Sequence, residues 1–467
     1  MTAPQQSAAR EALLNTLEGE LRDCLAELPP PPRRPRGPGT PAVLVASYFW
    51  AALLVCVLRG FSAQQSLWQL VCLHGLWDYP RLTLTRQAIY ARLQRTPATH
   101  LLALFERLTT LLRERFATLC DVPYAPFASE ILALDHSTLD AVQRKLKLFR
   151  ALPRGAPQLL PGQLATLFDL RRQFFWRVEF WADAQHNEKH DVAHWLAFLP
   201  TGTLLLFDLG FYAFHWFDTL TEHGHYYVSR QREKVSFVLH HYLYDGPAGA
   251  VQLKESIGYL GAYRADRAAH PVRLIEVATA KGTFRYLTNV LDPVQLPAAH
   301  VVELYRRRWD IETAFKLLKS QFNLHLIWSG HQNVVLLQVF ATLVIAQVVL
   351  AVRNEVAQLA GARLREVSLP LLIRWIPQLA QAGADPLLTL GRYGRDAGII
   401  RPFRGKDYAL PRLAPEAYAV PLGRPPPPRK PRYAGKQGKP GPNPPKRPHG
   451  GARKHGWGLR QRRLRPS

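Results

Sequence analysis

Short apolar runs of strand length follow one another through the middle of the chain. The clearest are EILALD (130–135), QLATLFDL (163–170), FWRVEFWAD (175–183), TLLLFD (203–208) and YYVSR (226–230). Helical patterns at 191–199 and 214–223 separate the later runs. Because strands first come alone and then alternate with helices, the order predicts a mixed α/β (α+β) sheet. Residues 231–292 return to short strands with turn signals, and a long helical stretch begins near Pro297.

The region before the first strand has helical patterns instead. FSAQQSLWQLVCL is followed, after a break at Asp78–Pro80, by LTLTRQAIYARLQR. Either Thr83 or Thr85 is placed to cap the second helix. On its exposed side this helix would present Arg86, Gln87, Tyr90 and Gln94. Two interpretations stay open, a helix-turn-helix-like reader of DNA ends through Arg86 and Gln87, or ordinary packing of short helices.

Two apolar runs, at 42–58 and 334–352, raise the question of a membrane. The first is near the lower length limit, since a spanning helix takes about 20 apolar residues. Gln338 and Gln347 interrupt the second. We interpret both as buried core helices and expect no membrane partner, with a membrane-associated basic protein as the alternative.

Composition shifts divide the chain further. We expect an N-terminal helix (1–26), a Pro-rich linker (27–41), a helical domain (42–125), the first part of the core (126–230), a β-rich insertion (231–295), the completion of the core with C-terminal helices (296–423) and a disordered basic tail (424–467).

The charge balance points to a polyanionic partner. Among 467 residues, 60 Lys and Arg stand against 35 Asp and Glu, a net charge of +25. The tail from Arg424 holds 14 of these basic residues and no acidic one. Such an excess favours nucleic acid or an anionic membrane surface as partner. Four cysteines without a CxxC pair and a polar N-terminus fit a cytoplasmic protein without a disulfide framework.

Three acidic residues are the candidates for chemistry. Asp135 and Asp208 each end an apolar strand, a rigid position where a carboxylate meets a ligand at a sheet edge. Glu312 lies in the helical segment VVELYRRRWDIETAFKLLKS (301–320). At about 100° per residue, that helix aligns Glu312 on one face with Tyr305, Arg308, Lys316 and Lys319. The alternative is a solvated helix face with a Glu312–Lys316 salt bridge.

Together these acids form an oxygen-only set of ligands. Such a set suits Mg²⁺, or Mn²⁺ as a substitute, rather than zinc. Two such ions would clamp the attacking and leaving oxygens of a phosphoryl transfer. Arg308, Lys316 and Lys319 would hold the flanking phosphates. The residues therefore predict metal-dependent phosphodiester chemistry on double-stranded DNA, with no small-molecule cofactor.

The spacing Y-x2-R-x3-E-x6-K, met at Tyr305, Arg308, Glu312 and Lys319, resembles the signature of bacterial DDE insertion-sequence transposases of the fourth insertion-sequence family. Asp135 in LDHSTL resembles the first acidic motif of that family, although His136 replaces its usual small residue. DLGFYAFHWFDTLTEHGHYYVSR resembles the second motif, with Asp208 as its acid and Arg230 at its end, and LTN (287–289) resembles the approach to the third. The resemblance runs from about residue 40 to about 360.

This resemblance implies a ribonuclease H-like core with a β-rich insertion between Asp208 and Glu312. It also implies Mg²⁺-dependent cut-and-paste transposition at the transposon ends and a target, by a homodimeric or larger synaptic complex, in the cytoplasm on the nucleoid. An aromatic residue four positions before the Thr of LTN would stack on a flipped base, which assigns Phe284, with Tyr286 as the alternate. The rivals are a DNA-binding remnant without catalysis and a simple metal-dependent nuclease.

Overall fold

The computed structural model describes residues 43–419, except 77–78, 140–161, 185, 188, 190, 233–234, 262–266, 382–383 and 403–409. The N-terminal helix, the Pro-rich linker and the basic tail expected from the sequence lie outside the described residues.

Helices precede the sheet, are sparse within it and return after it. The helices are α1 (Ala46–Leu58), α2 (Gln65–Gln69), α3 (Arg86–Arg95), α4 (Thr99–Arg115), α5 (Val192–Leu196), α6 (Phe214–Glu222), α7 (Ala298–Arg307), α8 (Trp309–Lys316), α9 (Gln332–Ala360), α10 (Leu369–Gln381) and α11 (Pro386–Tyr393). The strands are β1 (Ile131–Leu139), β2 (Gly162–Asp169), β3 (Phe174–Trp181), β4 (Leu204–Phe207), β5 (Tyr226–Arg230), β6 (Phe237–Ala248), β7 (Val251–Leu260), β8 (Val272–Thr279) and β9 (Gly282–Thr288).

All nine of these strands form one sheet in the order β3-β2-β1-β4-β5-β9-β8-β7-β6. Strand β2 pairs antiparallel with both β1 and β3, whereas β1, β4 and β5 run parallel to one another. The order 3-2-1-4-5 with this polarity is that of a ribonuclease H-like core, so the fold expected from the sequence is confirmed. Strands β6–β9 continue the same sheet, because β9 pairs antiparallel with β5.

Each face of the sheet is covered by its own hydrophobic cluster, and the strands alternate between the two. In β1, Ile131 and Ala133 join the cluster that contains the residues of α1, α7, α8 and α9, while Leu132 and Leu134 join the cluster under α5 and α6. Strand β4 alternates in the same way. Because side chains alternate across a strand, the residue that follows each of these two apolar runs faces the side of the sheet that α7 and α8 cover.

The two apolar runs at 42–58 and 334–352 are core helices, as expected. In the described part of the chain, α9 is the one helix long and apolar enough to span a membrane, and 89% of its most apolar stretch is buried inside the structure. Helix α1 joins the same hydrophobic cluster. The glutamines that interrupt α9 make buried hydrogen bonds: Gln338 accepts from the main-chain N–H of Trp328 and donates to the carbonyl of Leu326.

Gln347 joins α9 to the edge strand β3. Its side-chain oxygen accepts from the Phe175 N–H (3.0 Å), and its amide nitrogen donates to the Phe175 carbonyl (2.9 Å) and to Thr109 Oγ1 (2.8 Å). One residue of the sheet edge, Phe175, is thus paired by a side chain, which covers part of an otherwise open row of main-chain groups.

Gln347→Leu should therefore lower the free energy of unfolding by roughly 2–4 kcal/mol, because buried polar groups that lose their partners cost about 1–3 kcal/mol each. Urea unfolding followed by circular dichroism measures the change. Gln358→Leu, at an exposed position of the same helix, is the control. Equal stability of the two variants would contradict the role given to Gln347.

The segment 301–320 is not one uniform helix. Helix α7 gives way to α8 at Arg308, whose N–H still donates to the Leu304 carbonyl (3.1 Å). A π-helical turn over Leu317–Gln321 follows α8. Five apolar residues along this segment are buried: Leu304, Ile311, Phe315, Leu318 and Phe322.

Candidate active site

The first two acids lie on neighbouring parallel strands. Pairing of β1 with β4 runs from Ile131 opposite Leu204 to Leu134 opposite Phe207. Asp135 and Asp208 come next in each chain segment, and neighbouring strands are about 4.8 Å apart. By the alternation of the strands, both carboxylates face the side of the sheet that α7 and α8 cover. The register of two strands distant in sequence thus brings the two acids together.

The sequence prediction that both acids end their strands is right for Asp208 and wrong for Asp135. Strand β1 continues to Leu139, because the residues from Asp135 onward still pair with β2. Only the pairing with β4 stops before Asp135. The Asp135 carboxylate is therefore held inside a strand, at the point where its parallel neighbour has ended.

Main-chain groups orient both carboxylates. Asp135 Oδ1 accepts a hydrogen bond from the N–H of His136 (2.8 Å). Asp208 Oδ1 accepts from the N–H of Gly210 (2.7 Å), which closes the short 3₁₀ turn after β4.

Arg308 bridges the first and third acids. Its guanidinium lies 3.0 Å from Asp135 Oδ2 through Nη1 and 3.1 Å from Glu312 Oε1 through Nη2. The Arg308 residue is only 5% exposed, whereas the Glu312 side chain is 38% exposed. In this structure Glu312 thus pairs with Arg308, one turn earlier in the helix. Because Arg308 is buried, this side of the helix is not the solvated face that was the alternative.

The three carboxylates influence one another electrostatically. Burial raises the pKa of Asp135 to about 6; Arg308 and the His136 N–H oppose this rise, while the negative charges of Asp208 and Glu312 add to it. Carboxylates that oppose one another's ionisation need a shared counter-charge. Arg308 supplies that charge here.

The chemistry of these donors fits a hard divalent cation, since all are carboxylate oxygens. In the described residues no group of three or more His, Cys, Asp or Glu side chains is arranged to hold a metal ion. Arg308 lies between two of the three expected ligands, so the carboxylates would have to exchange this cation for another.

The other signature residues take different positions. Tyr305 is buried, with its ring centre 5.7 Å from the Arg308 guanidinium and 5.5 Å from that of Tyr286. Lys319 donates from Nζ to the carbonyl of Thr138 on β1 (2.7 Å). Lys316 is exposed. The face expected to be polar is therefore partly inside the protein, against the end of β1.

Arg230 and Phe284 lie next to each other on the neighbouring strands β5 and β9. Arg230 is opposite Tyr286 in the β5–β9 pairing, and its guanidinium lies 5.7 Å from the ring centre of Phe284. Phe284 is 36% exposed, whereas Tyr286, the alternate for base stacking, is buried against Tyr305. Of the two aromatic residues, Phe284 has the ring that a base can reach.

Arg86 and Gln87 lie elsewhere, on the exposed first turn of α3. Thr85 caps this helix by accepting from the Ala88 N–H (3.2 Å). Arg86 lies 5.8 Å from the ring centre of Trp68 on α2. Tyr90, expected to be exposed, is half-buried and packs against the core, so α3 presents a smaller polar surface than the sequence indicates.

Sequence reasoning missed two residues. Trp309 is 58% exposed, and its ring centre lies 5.3 Å from the Arg308 guanidinium. Trp309 lies about 40° from Tyr305 around the helix, so the helical periodicity of the sequence could have placed it beside that residue. Asn289, the last residue of LTN, accepts from the Tyr227 N–H and donates to the carbonyl of His225, so it joins the end of β9 to the start of β5.

Comparisons with known proteins find transposases. Residues 127–346 match the family described as the transposase DDE domain. Over 179 residues the chain is 25% identical to "Putative transposase y4zB" of Sinorhizobium fredii (strain NBRC 101917 / NGR234), covering 37% of this chain and 47% of that one. The chain thus spans about half the length of this relative. A cryo-EM structure of the piggyBac transposase synaptic complex with hairpin DNA aligns over 81% of this chain and 82% of its own, at 11% identity and a TM-score of 0.40. The matched stretch, residues 127–346, contains Asp135, Asp208 and Glu312 and is similar to a transposase DDE domain.

Proposed function

We propose that the protein is the transposase of an insertion sequence. It binds the terminal inverted repeats of the element and catalyses Mg²⁺-dependent DNA cleavage and strand transfer. The observation that carries this proposal is the meeting of Asp135, Asp208 and Glu312 beside one ribonuclease H-like sheet, inside the matched domain. The spacing of Tyr305, Arg308, Glu312 and Lys319 supports membership in the fourth insertion-sequence family.

Asp135, Asp208 and Glu312 are the residues that would hold Mg²⁺, or Mn²⁺ in its place, as the two ions of a two-metal site. When bound, the metal supplies the charge that activates the attacking oxygen and stabilises the leaving oxygen. Arg308, released from Asp135 and Glu312, is then placed to contact a backbone phosphate beside the reacting bond. The Tyr305 ring packs beside the Arg308 guanidinium and helps to orient it.

The surrounding residues position the DNA. Lys316, Lys319 and Arg230 contact the phosphates on either side of the cut. Phe284 stacks on a base flipped from the transposon end, and Arg86 and Gln87 contact the ends from α3. The net charge of +25 adds affinity for DNA of any sequence. Two ends must be held together, so the working form is a homodimer or larger assembly on bacterial DNA in the cytoplasm.

An excision assay tests this function. The full chain is incubated with a plasmid in which the native flanks of its gene surround a marker, with Mg²⁺, with Mn²⁺ or with EDTA. We expect excision and a joined product with either metal and neither with EDTA. Cleavage without a joined product would instead indicate a nuclease. Binding to the flanks without any cleavage would indicate a DNA-binding remnant.

A further inference from the structure

A second concave surface lies on the side of α7 that faces away from the acids. Two adjoining cavities, of about 340 and 610 Å³, share Asp121, Arg306, Arg307 and Arg365 in their walls. At about 100° per residue, Arg306 and Arg307 point 100° and 200° away from Tyr305. We call the two cavities together the arginine cleft.

The arginine cleft carries an excess of positive charge. Among the described residues, three acids line it, Asp121, Glu303 and Asp310. Six arginines line it, namely Arg306, Arg307, Arg353, Arg363, Arg365 and Arg412. Six cations against three anions leave a charge of +3 in the walls, and Glu366, which pairs with Arg363 beside them, reduces this to +2. That excess makes the cleft a site for anions.

The inner wall holds its arginines in place. Arg307 pairs with Asp310 (2.6 Å) and with Asp121. Arg353 is 7% exposed; one of its nitrogens donates to the Gln173 carbonyl (3.0 Å), and its Nε has no hydrogen-bond partner in the described part of the chain. Burial lowers the pKa of Arg353 to about 10, against the opposing effect of Asp121 and Asp310. A buried guanidinium with an unused donor gains from an anion beside it.

The outer wall is open to solvent. Arg363 and Arg412 are exposed, and Arg306 and Arg365 are half-buried. Arg306 pairs with Glu303 and Arg363 with Glu366, so these side chains are already oriented. One guanidinium group donates two hydrogen bonds to a pair of phosphate oxygens in a fixed geometry. A wide mouth with several arginines suits a row of phosphates better than a single ion.

We propose that the arginine cleft binds the phosphate backbone of a DNA segment, separately from the acids. The choice of DNA as the source of the phosphates rests on the proposed function; the preference for phosphate rests on the cleft itself. Because a helix with its side chains is about 10–12 Å across, DNA held in the cleft is separated from DNA at the acids by the thickness of α7.

The test measures DNA binding rather than cleavage. Arg363→Gln combined with Arg412→Gln removes the two exposed cations and leaves the buried pairs intact. With a short duplex of unrelated sequence, we expect about tenfold weaker binding, and a slope of log K against log salt that is shallower by about 2, since each phosphate contact contributes about 0.9. Fluorescence anisotropy between about 50 and 200 mM salt gives both values.

Arg59→Gln combined with Arg392→Gln removes two exposed charges elsewhere and serves as the control. Arg365→Gln combined with Arg412→Gln keeps the Arg363–Glu366 pair and guards against a folding defect, which thermal melting detects. Equal slopes for the cleft variants and the control would overturn the proposal. Sodium triphosphate that binds the wild type but not the cleft variant, with an unchanged DNA slope, would overturn DNA as the source of the phosphates. A wild type that fails to cut DNA would overturn the proposed function, yet the binding result would still be readable.

Discussion

Glu312→Ala is expected to abolish strand cleavage while binding to the DNA ends stays largely intact. Glu312 is the third carboxylate beside Asp135 and Asp208, and Arg308 connects it to Asp135. A metal ion at such a site supplies several kcal/mol of transition-state stabilisation, and each step of about 1.36 kcal/mol is a factor of ten in rate. The loss of one ligand should therefore reduce cleavage by about 10³-fold or more. The measurement is nicking of end-labelled DNA with Mg²⁺, beside a gel-shift of the same DNA.

Two properties make this variant informative. The Glu312 side chain is 38% exposed, and Arg308 keeps its bond to Asp135 without it, so the thermal melting temperature should change little. Glu222→Ala, which removes another exposed carboxylate at the end of α6, should cleave like the wild type. If Glu312→Ala cleaves at the wild-type rate with Mg²⁺, the assignment of Glu312 to the metal site is wrong.

The local pattern of the sequence predicts those features of the candidate site that depend on a single segment of the chain. An apolar run followed by an acid indicates a buried strand that delivers a carboxylate, and the structure has such strands in β1, which contains Asp135, and in β4, which ends just before Asp208. The pairing of β1 with β4 cannot be read from the pattern, because β2 and β3 lie between these two strands in the sequence. That pairing is what turns two separate acids into one site.

Helical periodicity predicts the direction in which each side chain points, but not which residues surround that side chain. It aligns Tyr305, Arg308 and Glu312 on one side of the helix, yet two of the three are buried because the sheet packs against that side. A similar limit applies to Gln347, which interrupts an apolar run in the sequence. Its role follows only from the edge of β3, which lies beside α9.

The second large effect concerns Arg308. Its guanidinium neutralises Asp135 and Glu312 in this structure, so it competes with a metal ion for the same oxygens. Arg308→Gln should therefore bind Mn²⁺ about tenfold more tightly, a gain of about 1.4 kcal/mol, since a nearby positive charge is removed from the site. Arg308→Lys keeps the charge and should stay close to the wild type. Isothermal titration calorimetry of the DNA-free protein measures these affinities.

Cleavage should change in the opposite direction. Without a cation to hold the phosphate, Arg308→Gln should cleave about 10²–10³-fold more slowly, the usual effect of removing one charge-stabilising group. Arg306→Gln, on the far side of α7 and paired with Glu303, should leave Mn²⁺ affinity unchanged. Tighter metal binding together with slower cleavage would distinguish the role of Arg308 from that of the metal ligands. Loss of a ligand weakens both metal binding and cleavage. An unchanged Mn²⁺ affinity in Arg308→Gln would show that its pairing with the acids does not oppose the metal.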